Sequence, residues 1–543
     1  MTGLLPRGGF TRGARGLFAR LQNLRAANFP DAPALAVRDP WPGDPSRGAR
    51  LIKSEAGLLG ASRALPGAFG GSGKFGARQS GSGASPVQRG HMLGFTWLRD
   101  LRALGTDAAR ARARALVSDF MDTADPDPIA GRADVAGARI AAWLGHYDFF
   151  AASADDDFRQ RLMSRLVTDA RNLAAALPAE EHDGRALTAL KGLIAAVVAM
   201  PEHAPYSARA LRFLTPEIEH QLLADGCHIE RSPAAHLAAL QDLTEIRALL
   251  QSAKIEPPEV LPVAIERMAL ALRALRHGDG GLALFNGSRE DLPSLIDLVL
   301  SQAGRSGRAP SLLADSGFQR LAAGKSVLIV DAGAPAPAGA DRFAHAGTLA
   351  FEFSSAKERL IVNCGAAPAS GPEWRDALRA TDAHSTLIIA GVSSSEIRDN
   401  GLGRQPGHVS GQRQAAGGAY WLEASHDGWG RLFGAVHHRR LYLAESGEDL
   451  RGEDMIEAEQ PQPFVIRFHL HPNVTASLQQ DNEAVLLRLP SGQGWRLRAD
   501  GTKISVEESV YFGATEPRRA EQIVLAGHQD GPQQVKWAIT KLG

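Results

Sequence analysis

Two groups of residues have side chains of the right type and spacing for chemistry. The first lies between residues 343 and 390. It runs F-A-H-A-G-T-L-A-F-E-F, crosses a polar turn to R-L-I-V-N-C-G, and passes Trp374 to reach A-T-D-A-H-S-T-L-I-I-A. Alternation of Leu349, Phe351 and Phe353 with smaller or polar neighbours predicts a strand over 348–353, with further strands over 359–362 and 386–389. In an antiparallel hairpin the start of one strand lies beside the end of the next, which sets His345 next to Asn363. His384 enters the third strand and can close on the same point. Two imidazoles and an amide oxygen can hold a divalent metal, although zinc normally favours a carboxylate where Asn363 stands. The same three residues also read as polar caps on strand ends.

The second group is D-G-C-H-I-E-R-S-P-A-A-H over residues 225–236. Asp225-Gly226 is a turn, Ser232 a helix N-cap, and Pro233 suits the first helical position. His236 falls in the first turn, where the helix dipole disfavours a proton, so its neutral ring can serve as base or hydrogen-bond partner. Arg231 can grip a carboxylate through two parallel bonds. The plain alternative is a capping turn with a charged rim. His277, in R-H-G-D-G, can line the same cleft. Asp225, Glu230 and Asp279 are the carboxylates a hydrolase would use. The glycine-rich loop over 276–287 lacks nucleotide-loop spacing, and the G-x-S-x-G, H-E-x-x-H and D-F-G patterns do not occur.

These groups sit in contrasting halves. Helical spacing of apolar residues recurs over 92–104, 110–121, 134–152, 156–177, 185–200, 207–223, 233–250, 259–276 and 292–303, implying stacked antiparallel helical hairpins. After residue 316 short alternating segments separated by Gly, Asp, Ser and Pro turns imply a large antiparallel sandwich. The expected division is an N-terminal segment with a Gly/Ser-rich loop (1–90), a helical domain (91–315) and a β domain (316–543). A chain of 543 residues exceeds one ordinary core. Its 60 basic and 60 acidic side chains cancel, giving no electrostatic reason to expect nucleic acid or an acidic membrane. Two distant cysteines make neither a disulfide framework nor a zinc ribbon. Apolar runs are too short for a transmembrane helix, and the Arg-dotted start lacks a signal-peptide core, so a cytoplasmic address is expected, with the periplasm as alternative.

The two motifs together resemble those of the heparinase II/III family of polysaccharide lyases, D-G-x-x-x-E-x-S-P-x-Y-H and H-x-H-x-D-x-L-x-F-x-L with V-D-P-G and A-H-N-T. The resemblance implies an α+β multidomain chain, an N-terminal (α/α) toroid followed by an antiparallel β-sandwich. It also implies β-elimination on a uronate-containing glycan, an acidic polysaccharide or oligosaccharide being the partner. That reaction needs a neutralised carboxylate, a base at C5–H and an acid at the leaving oxygen. No cofactor is required; a structural divalent metal such as zinc, held by His345, Asn363 and His384, is what some relatives imply. The sequence departs from the pattern at Ala235, Phe343, Gly347, Asn363 and Ser385, which replace Tyr, His, Asp, Asp and Asn. The remaining candidates for catalysis are His236, with Arg231 and Arg185 on the uronate and His228 or His277 assisting. A non-catalytic acidic-glycan-binding or envelope-assembly protein is the alternative.

Overall fold

The computed structural model describes residues 29–54, 58, 84–123, 127–178, 183–201, 205–304, 307–368, 371–479, 482–514, 516–529 and 533–543. The Arg-dotted start and most of the Gly/Ser stretch, with Glu181 and His182, lie outside these residues. Within them, helices occupy the chain up to Ala303 and strands begin at Leu312.

The helix Gly184–Ala199 organises the first half. Nearly every side chain from Ala186 to Ala199 is buried, as expected of a helix apolar all round. The helices Ala133–Gly145, Asp156–Ala176, Ser207–Gln221 and Pro233–Ser252 pack onto it. Its approach to Ala133–Gly145 depends on paired glycines. A Cβ on Gly192 would lie 2.2 Å from the Gly137 carbonyl oxygen, and one on Gly137 would lie 2.6 Å from Ala189 Cα. Lys191, the one charge in this apolar run, is satisfied by Asp242 at 2.6 Å and Glu245 at 3.2 Å.

Residues 29–54 of the N-terminal segment are built into this half. Asp39 pairs with Arg99 at 2.9 Å, and Arg102 donates to the carbonyls of Asp39 and Trp41, both at 2.7 Å. The buried Trp41 indole donates to Glu245, joining the Lys191 cluster. A helix over Pro45–Lys53, capped by Asp44, follows; the sequence reading had no helix there. The expected single helix over 92–104 is two, Pro86–Gly94 and Leu98–Leu104. Phe95 breaks it at φ 57° and buries its ring against Trp97, Phe120 and Trp143.

The second half contains two large antiparallel sheets. In the nine-stranded sheet the order is Leu312–Leu313, Phe318–Ala323, Ser326–Asp331, Phe351–Ser355, Glu358–Val362, Gln462–Leu470, Arg518–Gln529 and Lys503–Tyr511, with Leu387–Ile389 also paired to Gln462–Leu470. The eight-stranded sheet runs Thr475–Leu478, Ala484–Arg488, Gly494–Asp500, Gln533–Lys541, Asp449–Glu457, Ala435–Leu443, Ala419–Trp429 and Val409–Ala416. One hydrophobic cluster draws on both, joining Phe351, Phe353 and Phe468 to Trp495 and Trp537. The expected hairpin forms with Phe353 opposite Ile361. The third strand, however, joins Gln462–Leu470 and not the hairpin.

A separate cluster ties the halves together: Cys227, Leu275 and Phe285 from the helical side pack with Phe318, Val327 and Ile329 from the sheet. Gly278 is required at this joint, since a Cβ there would lie 1.8 Å from the Ala356 carbonyl oxygen. Replacing Gly192 by Ala is expected to wedge two central helices apart and cost about 1–3 kcal/mol, read as a lowered thermal midpoint with the far-ultraviolet dichroism retained.

Candidate functional site

The loop before Ser232 and the first turn of Pro233–Ser252 form one wall of a trough of about 360 Å³ at the mouth of the helical half. Ala235 and Glu230 lie on that wall, Arg185 comes from the start of Gly184–Ala199, and Arg342 and Phe343 reach over from the β half. A second cavity of about 520 Å³ continues from it, sharing Thr96, Ala138, Thr188, Ala238 and Asp242.

Of the five residues expected to act together, Arg185 alone lines the trough. It is held by Asp183 at 2.7 Å. His236 is fully buried; Nδ1 accepts from the His228 N–H at 3.1 Å and Nε2 donates to the Met268 carbonyl at 2.8 Å. His228 is equally committed: Nε2 meets Gln221 Oε1 at 3.0 Å and Nδ1 accepts from Glu230 N–H at 3.3 Å. Burial, with His236 close by, lowers His228 to about 3, and burial lowers His236 to about 4. Both rings are neutral structural bridges with one fixed tautomer.

Arg231 and His277 belong to the joint between the halves. Arg231 pairs with buried Asp331, donates from Nε to the Ser316 carbonyl at 2.7 Å, and covers the Phe318 ring at 4.9 Å. Its backbone holds φ 52°, a left-handed conformation that costs a non-glycine residue about 1–2 kcal/mol. His277 bridges Glu352 at 2.9 Å and Ser354 at 2.8 Å, and burial with nearby Arg359 keeps its proton affinity low. The hydrolase carboxylates divide in the same way. Asp225 accepts from Ser316 N–H at 2.7 Å, Asp279 pairs with Arg359 at 2.7 Å, and Glu230 alone faces the trough.

The trough is lined by three arginines and by the carboxylates of Asp134, Glu230 and Asp242. Arg132, Arg185 and Arg342 line it, and Arg132 and Arg185 are paired with Asp134 and Asp183. Arg342 lies 5.3 Å over the Phe343 ring, and among the described residues its guanidinium forms no ion pair. Burial, then the neighbouring Arg185 and Arg132, lowers its proton affinity. Glu230 is 11% exposed and accepts from the Gly184 N–H at 3.0 Å. Burial pushes its carboxyl up to about 7, with Asp183 adding to the rise and Gly184, Arg185 and Arg342 opposing it. His91 also lines the trough; Thr96 Oγ1 meets its Nδ1 at 3.1 Å, and burial with nearby Arg47 and Arg99 lowers it to about 3. The sequence reading missed Arg132, Arg342 and His91. Arg342 had a signal, since it directly precedes the F-A-H run.

His345 and His384 do meet, Nδ1 to Nε2 at 3.0 Å. His384 Nδ1 lies 2.8 Å from the Ala380 carbonyl, so it carries the proton; His384 Nε2 then accepts from His345 Nδ1–H. His345 Nε2 accepts from Gly287 N–H at 3.0 Å. All four nitrogens are used and neither ring offers a lone pair to a metal. Asn363 turns away: its Oδ1 accepts from Ser385 N–H at 3.0 Å and its Nδ2 donates to Glu352 at 3.1 Å. Among the described residues no group of three or more His, Cys, Asp or Glu is placed to hold a metal ion. The arrangement therefore does not fit a metal centre. It also accounts for two departures from the motif. A Cβ on Gly347 would lie 2.7 Å from His384 Cδ2, and an aspartate at 363 would set a carboxylate against Glu352.

Two matched segments define the class of protein. Residues 121–297 match the heparinase II/III N-terminus and residues 305–538 the heparinase II/III-like C-terminal domain. The chain belongs to the heparinase II/III family. Among individual proteins it is 33% identical to FtsZ-localized protein C of Caulobacter vibrioides (strain NA1000 / CB15N), over 94% of this chain and 91% of that one. Its fold is that of solved heparinase III, with a TM-score of 0.74 at 14% identity, covering 98% of this chain and 89% of that chain. Heparan sulfate lyase HepC from Pedobacter heparinus gives 0.59 at 16% identity, with coverage of 98% and 88%.

Chelation by EDTA is expected to leave the thermal midpoint of this chain unchanged, with no zinc detected in the purified protein. Asn363→Asp is expected to cost about 1–3 kcal/mol by leaving buried groups unsatisfied, read in the same melting assay.

Proposed function

We propose that this chain is a non-catalytic member of its family that binds an acidic, uronate-containing glycan and serves envelope assembly. The scaffold in this reading is an (α/α) toroid set against a β-sandwich, with the glycan in the trough between them. One observation carries the reading: the trough keeps its cations while the proton-transfer positions of the family motif are filled by Ala235 and Phe343. A methyl group and a phenyl ring transfer no protons. Removing a general acid or base typically costs about 100- to 10,000-fold in rate, and both positions are changed. His91, lowered to about 3, is a weak base at neutral pH.

The relative named for FtsZ localisation supports an assembly role over a degradative one. A cytoplasmic address is part of the proposal. No helix among the described residues is long and apolar enough to cross a bilayer.

Elimination remains the second reading because Glu230, at about 7, is matched to proton transfer near neutrality. A panel of uronate polymers separates the two. The binding reading expects association without the ultraviolet absorbance of an unsaturated uronate, and a loss of about tenfold or more in trough affinity for Arg342→Glu. Appearance of that absorbance, abolished by Glu230→Gln, would establish the lyase instead.

Glu230 also sets a pH dependence. As a carboxyl with a raised value it is neutral below about 7 and charged above it. Anionic ligands are therefore expected to bind the trough more weakly as pH rises from 6 to 8, by up to about tenfold. Titration calorimetry at the two pH values checks this, and Glu230→Gln should flatten the profile.

A further inference from the structure

We propose that the solvent-facing side of the eight-stranded sheet is a second acidic-glycan surface, distinct from the trough. The strand register builds two rows of side chains across it. One row runs Trp421, Tyr442, Arg451, Ala538, Arg498, each directly opposite the next on the neighbouring strand. The adjacent row runs Glu423, Arg440, Glu453, Lys536, Asp500, alternating in sign. Both rows line a depression of about 590 Å³.

The first row has the chemistry of sugar recognition. Trp421 is the most exposed tryptophan among the described residues, at 40%. Its ring lies 5.1 Å from that of Tyr442 and is tilted 49° to it, so the indole offers a face to the C–H side of a pyranose with the phenol ring as a flanking wall. Arg451 continues the row, 5.7 Å from the Tyr442 ring and anchored on Asp449 at 2.6 Å. The methyl group of Ala538 then leaves a slot between two guanidiniums. Arg451 and Arg498 stand two strand spacings apart, about 10 Å, within reach of one carboxylate from either side. Among the described residues Arg498 forms no ion pair, so one wall of the slot is an uncompensated cation.

The alternating row favours a glycan over a docked protein. Arg440 lies 3.3 Å from Glu423 and 3.2 Å from Glu453. Such a row offers donors and acceptors to hydroxyl groups, whereas the centre of a protein interface is depleted of charge. An adjoining hollow of about 170 Å³, lined by Ser410, Gln412, Ser425 and His438, extends the same hydroxyl-compatible surface.

The test uses the full chain and a tetrasaccharide of alternating glucuronate and N-acetylglucosamine, with neutral chitotetraose as comparison. The sheet site is isolated with Arg342→Glu in the trough. In that background the acidic tetrasaccharide is expected to bind and alter tryptophan emission. Trp421→Ala and Arg498→Glu should each weaken it about tenfold or more, with unchanged melting. Trp421→Phe should keep the calorimetric affinity while losing the emission change, and chitotetraose should bind more weakly than the acidic ligand. Absence of binding in the Arg342→Glu chain, or binding indifferent to both Trp421→Ala and Arg498→Glu, overturns the proposal. Because the trough is disabled throughout, failure here leaves the trough reading untouched.

Discussion

The joint between helices and sheets constrains everything else. Arg231 meets Asp331 and His277 meets Glu352 in places shut off from water. Removing one partner of the Arg231–Asp331 pair strands the other charge, at a cost of about 3–5 kcal/mol. These contacts fix the sheet against the loop that opens Pro233–Ser252. That loop in turn carries Glu230 and Ala235 into the trough, while the β half supplies Arg342 and Phe343. The trough exists because the joint is rigid, and the residues that make it rigid are unavailable for anything else. Arg231 illustrates this: its unusual backbone angle is held by three interactions on its side chain.

Much of the fold was legible in the sequence. Periodicity located the helices within a few residues, because apolar spacing at 3.6 and at 2 reports directly which face is buried. The strands expected over 359–362 and 386–389 form over Glu358–Val362 and Leu387–Ile389. Failures occurred where tertiary contacts overrode local signals. Phe95 takes a left-handed angle because three aromatic rings surround it, and no local pattern announces that. Val409–Ala416 is a polar edge strand without alternation. Gln533–Lys541, by contrast, carries a clear alternation in its buried Val535, Trp537 and Ile539.

The site was less legible, for a physical reason. Histidine and arginine have the same spelling whether they face a ligand or lock an interior, and only the partners decide. His228 and His236 form a hydrogen-bonded bridge, and His345 and His384 form another. In both pairs every nitrogen is already used. The residues that do face the trough, Arg132, Arg185 and Arg342, come from three separated stretches that no spacing rule connects. The substitutions were more informative than the retained residues. Gly347 and Asn363 each fit a hydrogen-bonded arrangement in which a carboxylate would clash or repel.

The Trp41 indole, seated on Glu245 beneath the Lys191 cluster, bears on how this chain can be divided. The N-terminal family match begins at residue 121, yet the helical interior is completed by side chains some eighty positions earlier. A fragment cut at that border would strip the indole donor from Glu245, leaving it to Lys191 alone, and would open the floor of the helical interior. The homologous segment is thus smaller than the physical unit, and residues 29–54 and 84–120 ahead of it are a foundation and not a tether.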